Sequence, residues 1–151
     1  MTESSSATGL SYLDIAPAPP CSDFMAPRFV GCEPNQSLTL AFPVRAEYAN
    51  PGGTMQGGFV CAAFDNVFGP LSMLVTQCAP VATIDLITSF QRPIFPGDEL
   101  IVTAMVKQKG RTLIHMTAEA VNRDGKLIAT SATSYLIRPN SEDLPWSMKV
   151  K

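Results

Sequence analysis

The stretch from Asn50 to Thr76 constrains this chain more than any other. A glycine-rich loop, Asn50-Pro51-Gly52-Gly53-Thr54-Met55-Gln56-Gly57-Gly58, runs into a helical pattern that is apolar almost all round and carries one acid, Asp65. A helix without a polar face is a buried helix. A carboxylate on such a helix is costly unless it has a partner, and perturbed acids of this kind cluster at functional sites. The rest of the chain must supply the cover, and its patterns are those of a sheet.

Residues 1–20 are Ser-, Ala- and Pro-rich and read as a disordered or loosely packed extension. Residues 21–140 read as the domain proper, and 141–151 as a tail. A short helical turn is expected over 21–27, then strands from Phe29 to Cys32 and Leu38 to Val44, joined by Glu33-Pro34-Asn35-Gln36, which has turn chemistry. Residues 45–56 form the loop. Gly69-Pro70 should kink or divide the long helix, and Ala79-Pro80 should end it. Four strand-like runs follow, at Val81–Gln91, Glu99–Lys107, Thr112–Asn122 and Leu127–Ile137. In the first, Ala82, Ile84 and Leu86 alternate with Thr83 and Asp85. Gly97-Asp98, Lys109-Gly110 and Asp124-Gly125 punctuate the gaps. Successive hairpins predict an α+β fold, an antiparallel sheet with one long helix on its apolar face. The end of the chain, from Pro139, reads as irregular and docked by Trp146.

Composition removes several classes of function. The 151 residues suit a single domain, and a formal net charge of −2 offers no basic surface for nucleic acid or an anionic membrane. Cys21, Cys32, Cys61 and Cys78 form no CxxC pair, and His115 is the only histidine, which argues against zinc or another metal. A reducing compartment follows from this cysteine usage. The first twenty residues contain no Lys or Arg and do not read as a secretory or transit signal, so a cytoplasmic location is expected. Residues 57–76 are long enough to suggest a membrane span, but Asp65, Asn66 and the strands that follow favour a core helix.

The chemistry gathers at the start of the helix. Gly57 and Gly58 open it, so their N–H groups lack intrahelical acceptors and point outward, with the positive end of the helix behind them. That geometry suits an oxygen gaining negative charge, such as a carbonyl under attack. Gln56 and Asn50 add amide donors nearby, and Asp65 can act as a base toward water or as a nucleophile. Gly57 and Asp65 are separated by about 12 Å along a helix axis. They serve one carbonyl only if two subunits lay their helices side by side in opposite directions, which makes the site a dimer property.

At these residues the sequence resembles the hotdog-fold acyl-CoA thioesterases of the phenylacetic-acid-degradation type. The resemblance rests on Asn50-x-x-Gly53-x-x-Gln56-Gly57-Gly58 with Asp65 following. It continues in Phe90-Gln91-Arg92-Pro93, Gly97-Asp98-Glu99-Leu100, Gly110-Arg111-Thr112 and Asp124-Gly125-Lys126-Leu127, and covers about residues 29–138. It implies a sheet wrapped around a long helix, and homodimers that pair into homotetramers. It also implies that the Gly57 N–H polarises a thioester carbonyl while Asp65 of the partner subunit activates water or attacks. Asn50 and Gln56 would orient carbonyl or water, and Thr83 falls where some members place a hydroxyl near the water. Many members carry His where this chain has Gln56, so the departure bears on substrate identity.

The CoA end of such a substrate needs cations for its phosphates. Arg92, Lys109 and Arg111 are the leading candidates, with Gly110 allowing close approach; Lys107 and Arg138 come behind them. CoA is here part of the substrate, and no separate cofactor is expected. Phe64, Phe68, Met73 and Phe90 are candidates for the acyl pocket, although Phe59, Phe64 and Phe68 read first as core or dimer contacts. His115 and Asp85 read as structural. Two other functions share this fold: a non-catalytic acyl-CoA binding or sensing protein, and an enoyl-CoA hydratase or dehydratase.

Overall fold

The computed structural model describes residues 18–77 and 79–138. The readings of residues 1–17 as an extension, of Cys78, and of the tail with Trp146 lie outside the described residues. A short helix α1 (Pro20–Met25) leads into β1 (Arg28–Glu33) and β2 (Ser37–Pro43), and a 3-10 turn (Ala46–Tyr48) opens the loop. The long helix α2 (Gly57–Thr76) is followed by β3 (Val81–Phe90), β4 (Glu99–Lys109), β5 (Leu113–Val121) and β6 (Leu127–Ile137).

The six strands form one antiparallel sheet in the order β1-β2-β4-β5-β6-β3. Successive pairing holds for β1–β2 and for β4–β5–β6, but not for β3. That strand pairs with β6 and lies at the sheet edge, while β4 pairs back with β2. Its crossing leaves β3 with one hydrogen-bonded neighbour and most of its side chains exposed, Ile84, Ile87 and Phe90 among them.

The alternation of β3 also differs from the sequence pattern. The register slips between Thr83 and Asp85, so Thr83 stands opposite Tyr135 while Asp85 stands opposite Ser134. A bulge inserts Ile84 and turns Thr83 to the opposite face from Asp85. Thr83 joins the helix-facing row with Leu86, and Ile84 is left 56% exposed.

The core forms between α2 and the inner face of the sheet. Val60, Ala63, Phe64, Val67, Phe68, Leu71 and Val75 point into it and meet Leu38, Leu40, Phe42, Leu100, Val102 and Ile114. Phe64 and Phe68 stack with their centroids 6.3 Å apart and are fully buried. Each such side chain contributes about 1.5–3 kcal/mol through burial.

Pro70 does not divide α2, which runs without interruption through Gly69-Pro70. The turns on both sides are anchored by the buried Val67, Phe68, Leu71 and Val75, and this packing outweighs the local loss of one backbone hydrogen bond. The helix ends before Ala79-Pro80, at Gln77, which takes a left-handed conformation and donates its N–H to Met73 O. Nor is the helix covered all round. A single sheet hides one face, and the opposite stripe of Ala62, Asp65, Gly69 and Met73 is half-buried or exposed.

Candidate active site

The loop before α2 is closed by its own backbone and by Asn50. Ala49 bridges Met55, Asn50 N–H donates to Thr54 O at 2.8 Å, and Gly53 N–H donates to Asn50 O at 2.9 Å. Gly53 sits at φ 80°, where a side chain would be strained. Both ends of the Asn50 amide are engaged within the loop: Oδ1 accepts from Thr54 N–H at 3.1 Å, and Nδ2 donates to Thr54 Oγ1 at 2.9 Å. Asn50 therefore shapes the loop, and one N–H of its amide remains for a ligand.

The loop is fastened below by Met55 N–H to Ile94 O and Gln56 N–H to Tyr48 O, at 2.9 and 2.8 Å. Gln56 is the N-cap in an extended conformation, and its side chain makes no cap hydrogen bond. Its Oε1 folds beside Gly58, 2.7 Å from where a Cβ would stand, so Gly58 makes room for it. Among the described residues, neither the Gly57 nor the Gly58 N–H finds an acceptor. Gly57 borders an open cavity of about 420 Å³, with Asn50, Phe90, Arg92, Ile94 and Ile128 on its walls. The cavity therefore has the free Gly57 N–H at its edge, one guanidinium and an apolar floor.

Asp65 lies two turns further along α2 and does not reach this cavity. Its Oδ1 accepts from the hydroxyl of Tyr135 at 2.5 Å and of Thr83 at 3.3 Å. It is thus exposed on the outer stripe of α2 and held by two donors, whereas the sequence implied a buried and unpartnered acid. Burial first, and then the hydrogen bond to Asp65, pushes the Tyr135 phenol well above its ordinary value, against a smaller opposing effect of the Thr83 hydroxyl. Tyr135 therefore remains a protonated donor across the neutral range. The sequence reading missed it. The signal was a tyrosine on an inward position of an alternating strand, where a buried hydroxyl must find a partner; the partner becomes visible only once β6 is known to pair with β3.

The four residues expected to hold CoA phosphates separate into two places. Arg92 borders the cavity at the Gly57 end, where its Nη1 donates to Leu127 O at 3.1 Å. Lys109, Gly110 and Arg111 are exposed at the β4–β5 turn, which Gly110 N–H closes onto Leu113 O. The register runs Lys109, Ile114, Tyr135, Thr83 across four strands, which puts this turn at the Asp65 end of the sheet. Of the aromatic candidates for the acyl pocket, Phe90 lines the cavity, whereas Phe64 and Phe68 are wholly in the core and Met73 lies on the outer stripe of the helix. His115 is exposed and shares a hydrogen bond of 2.9 Å with Ser134, and Asp85 accepts from Ser134 N–H at 2.8 Å.

One long helix packed into a six-stranded antiparallel sheet is the hotdog fold, and comparison with known proteins places the chain within it. Residues 52–129 match the model of the thioesterase superfamily. The chain belongs to that superfamily, which makes it a thioester hydrolase. It is 27% identical over 95 residues to acyl-coenzyme A thioesterase 13 of Mus musculus, an alignment spanning 62% of this chain and 68% of the mouse protein. Identity to acyl-coenzyme A thioesterase 13 of Homo sapiens is 30% over 87 residues, spanning 57% of this chain and 62% of the human protein. Among solved structures, a phenylacetic acid degradation-related protein from Ralstonia eutropha JMP134 superposes with a TM-score of 0.77 at 25% identity, covering 86% of this chain and 99% of that one.

Proposed function

We propose that the protein is an acyl-CoA thioesterase, hydrolysing a CoA thioester to the free carboxylic acid and CoA, and that its active sites are shared between the subunits of a homodimer. In this reading the Gly57 N–H polarises the thioester carbonyl, helped by the helix start behind it. Asp65 of the partner subunit activates the attacking water or attacks the carbonyl itself. Thr83 orients Asp65 or the water from that same partner, and Gln56 and Asn50 complete the surroundings of the carbonyl. Arg92 meets the CoA phosphates from the Gly57 side, with Lys109 and Arg111 of the partner subunit and their Gly110 turn approaching from the other.

The observation that carries this reading is the division of the machinery along one uninterrupted helix. The free N–H groups and the cavity stand at Gly57, and the held carboxylate stands eight residues on, about 12 Å away by the helical rise. The outer stripe of Ala62, Asp65 and Gly69 supports the dimer, since Ala62 and Gly69 are small and half-buried and Asp65, though held by Thr83 and Tyr135, stays exposed. Two such stripes laid antiparallel bring each Asp65 toward the other subunit's Gly57. Pairing of dimers into a homotetramer, a cytoplasmic location, and a domain spanning residues 21–140 are part of the same proposal.

A panel of aromatic and aliphatic acyl-CoA esters, assayed for released thiol, tests the activity. Release of CoA-SH from at least one ester is expected. Tight binding of the esters with no thiol released would make the protein a binding module instead.

A further inference from the structure

We propose that Tyr135 is a positioning residue that fixes the rotation of the Asp65 carboxylate and presents its Oδ2 to the reacting atoms. The inference rests on the reading of Asp65 as the catalytic acid–base or nucleophilic group.

Tyr135 is 3% exposed, on the inner row of β6 between Ile114 of β5 and Thr83 of β3. Its ring fills the space between sheet and helix, and its hydroxyl arrives at α2 beside Asp65 and Gly69. A Cβ on Gly69 would stand 4.0 Å from that hydroxyl, so the absence of a longer side chain leaves the oxygen room to reach Asp65 one turn earlier. The resulting bond, 2.5 Å from Tyr135 Oη to Asp65 Oδ1, is in the range of a charge-assisted O–H···O⁻ contact, about twice as strong as a neutral one. The Tyr135 hydroxyl also meets that of Thr83, with a smaller effect on the phenol than the bond to Asp65.

The second donor reaches the same oxygen. Thr83 is carried to the inner face by the bulge at Ile84, directly across from Tyr135, and its Oγ1 stands 3.3 Å from Asp65 Oδ1. Oδ2 makes no hydrogen bond among the described residues. An aspartate carboxylate rotates broadly about its last torsion, so an exposed one would sample many orientations. Two donors on one oxygen remove that freedom and make the oxygens unequal. Oδ1 is bound to the sheet, and Oδ2 of the exposed Asp65 makes no hydrogen bond among the described residues. Reaction at an oriented oxygen avoids an entropic cost that a freely turning group would incur at each turnover.

The hydroxyl can be removed with the ring kept. Tyr135→Phe is expected to lower kcat by about 10-fold or more, from the loss of a hydrogen bond to a charged group, while KM stays within about twofold. In an Asp65→Asn background the same substitution should cost nothing further, because its effect passes through the carboxylate. Equal kcat for wild type and Tyr135→Phe, or an equal loss with and without Asp65, overturns the inference while leaving Asp65 in its role. Full turnover by Asp65→Asn alone would instead overturn the function proposed above. Should Tyr135→Phe fail to fold, 3-fluorotyrosine at position 135 keeps the shape and changes only the acidity of the hydroxyl. A change in kcat at constant KM then supports the inference, and an unchanged kcat overturns it.

Discussion

A Cβ on Gly57 would stand 3.1 Å from Cζ of Phe90, so the ring at the end of β3 lies against the first residue of α2. Phe90 is 55% exposed and its ring can swing aside, which lets a Gly57→Ala chain fold. The methyl group and the displaced ring would then stand at the edge of the cavity beside the free N–H. Gly57→Ala is expected to lower kcat/KM by about 10-fold or more through misplacement of the carbonyl, with little change in melting temperature. Steady-state kinetics and a thermal melt check it, and an unchanged kcat/KM would remove Gly57 from the site.

Asp65→Asn keeps the shape of the side chain and removes the charge. Since Asp65 is exposed in the single chain and supports no core packing, the fold should survive. Turnover should fall by about 100-fold or more, the low end for loss of a general base. Thiol release on a good acyl-CoA substrate measures the loss, and circular dichroism confirms the fold.

The Tyr135 phenol has its folded-state value raised above the ordinary 10.0 of tyrosine. Its contribution to stability is therefore fully present below that ordinary value. Above it, the unfolded chain loses its proton first and the folded state does not, so stability falls as pH rises. Urea midpoints for the wild type should hold up to about pH 9 and drop from about pH 10 upward, and the Tyr135→Phe chain should show a shallower drop over the same window. Parallel curves for the two chains would contradict this.

Tyr48 is fully buried, stacks on Phe59 at 4.7 Å, and donates its hydroxyl to Phe24 O at 2.9 Å. Its own carbonyl receives the Gln56 N–H, so it joins α1 to the start of α2. Tyr48→Phe keeps the stack and should cost about 1 kcal/mol. Tyr48→Ala should cost about 3–5 kcal/mol. Urea denaturation separates the two, and faster amide exchange in α1 should accompany both.

Arg92 and Arg111 stand at opposite ends of the sheet, and a shared site brings one from each subunit to the same CoA. Either Arg→Ala change should raise KM for acyl-CoA several-fold, on the order of one charge-assisted phosphate contact, and leave KM for the matching acyl-pantetheine thioester unchanged. Equal effects on both substrates would place these arginines elsewhere in the mechanism.

Much of this molecule was readable from the chain. The apolar run after Gly57-Gly58 had only one plausible home, inside a sheet, and the glycine-punctuated strands supplied that sheet. Thr83 could be placed near Asp65 only through the family resemblance, because the bulge at Ile84 is a property of the β3–β6 pairing and the alternation of Ala82, Ile84 and Leu86 points the other way. The same long-range pairing hid Tyr135. The division expected at Pro70 fails for a different reason: its local preference is to break a helix, and burial of Val67, Phe68 and Leu71 around it keeps α2 continuous. Phe64 and Phe68 read first as core or dimer contacts and lie in the core; the pocket stays open as a second reading because helical spacing gives a face and not what lies opposite it.

The central claim is that each site takes Gly57 from one subunit and Asp65 from the other, and subunit mixing tests it directly. Gly57→Pro removes the N–H at the first helical position, where proline is tolerated, and the extended Gln56 before it suits a following proline. Gly57→Pro and Asp65→Asn homodimers should each be nearly inactive. Exchanged in equal amounts, with mixed dimers verified by native mass spectrometry, they should regain about a quarter of wild-type kcat, because half the dimers then carry one intact site of two. Mixed dimers as inactive as their parents would contradict the shared site.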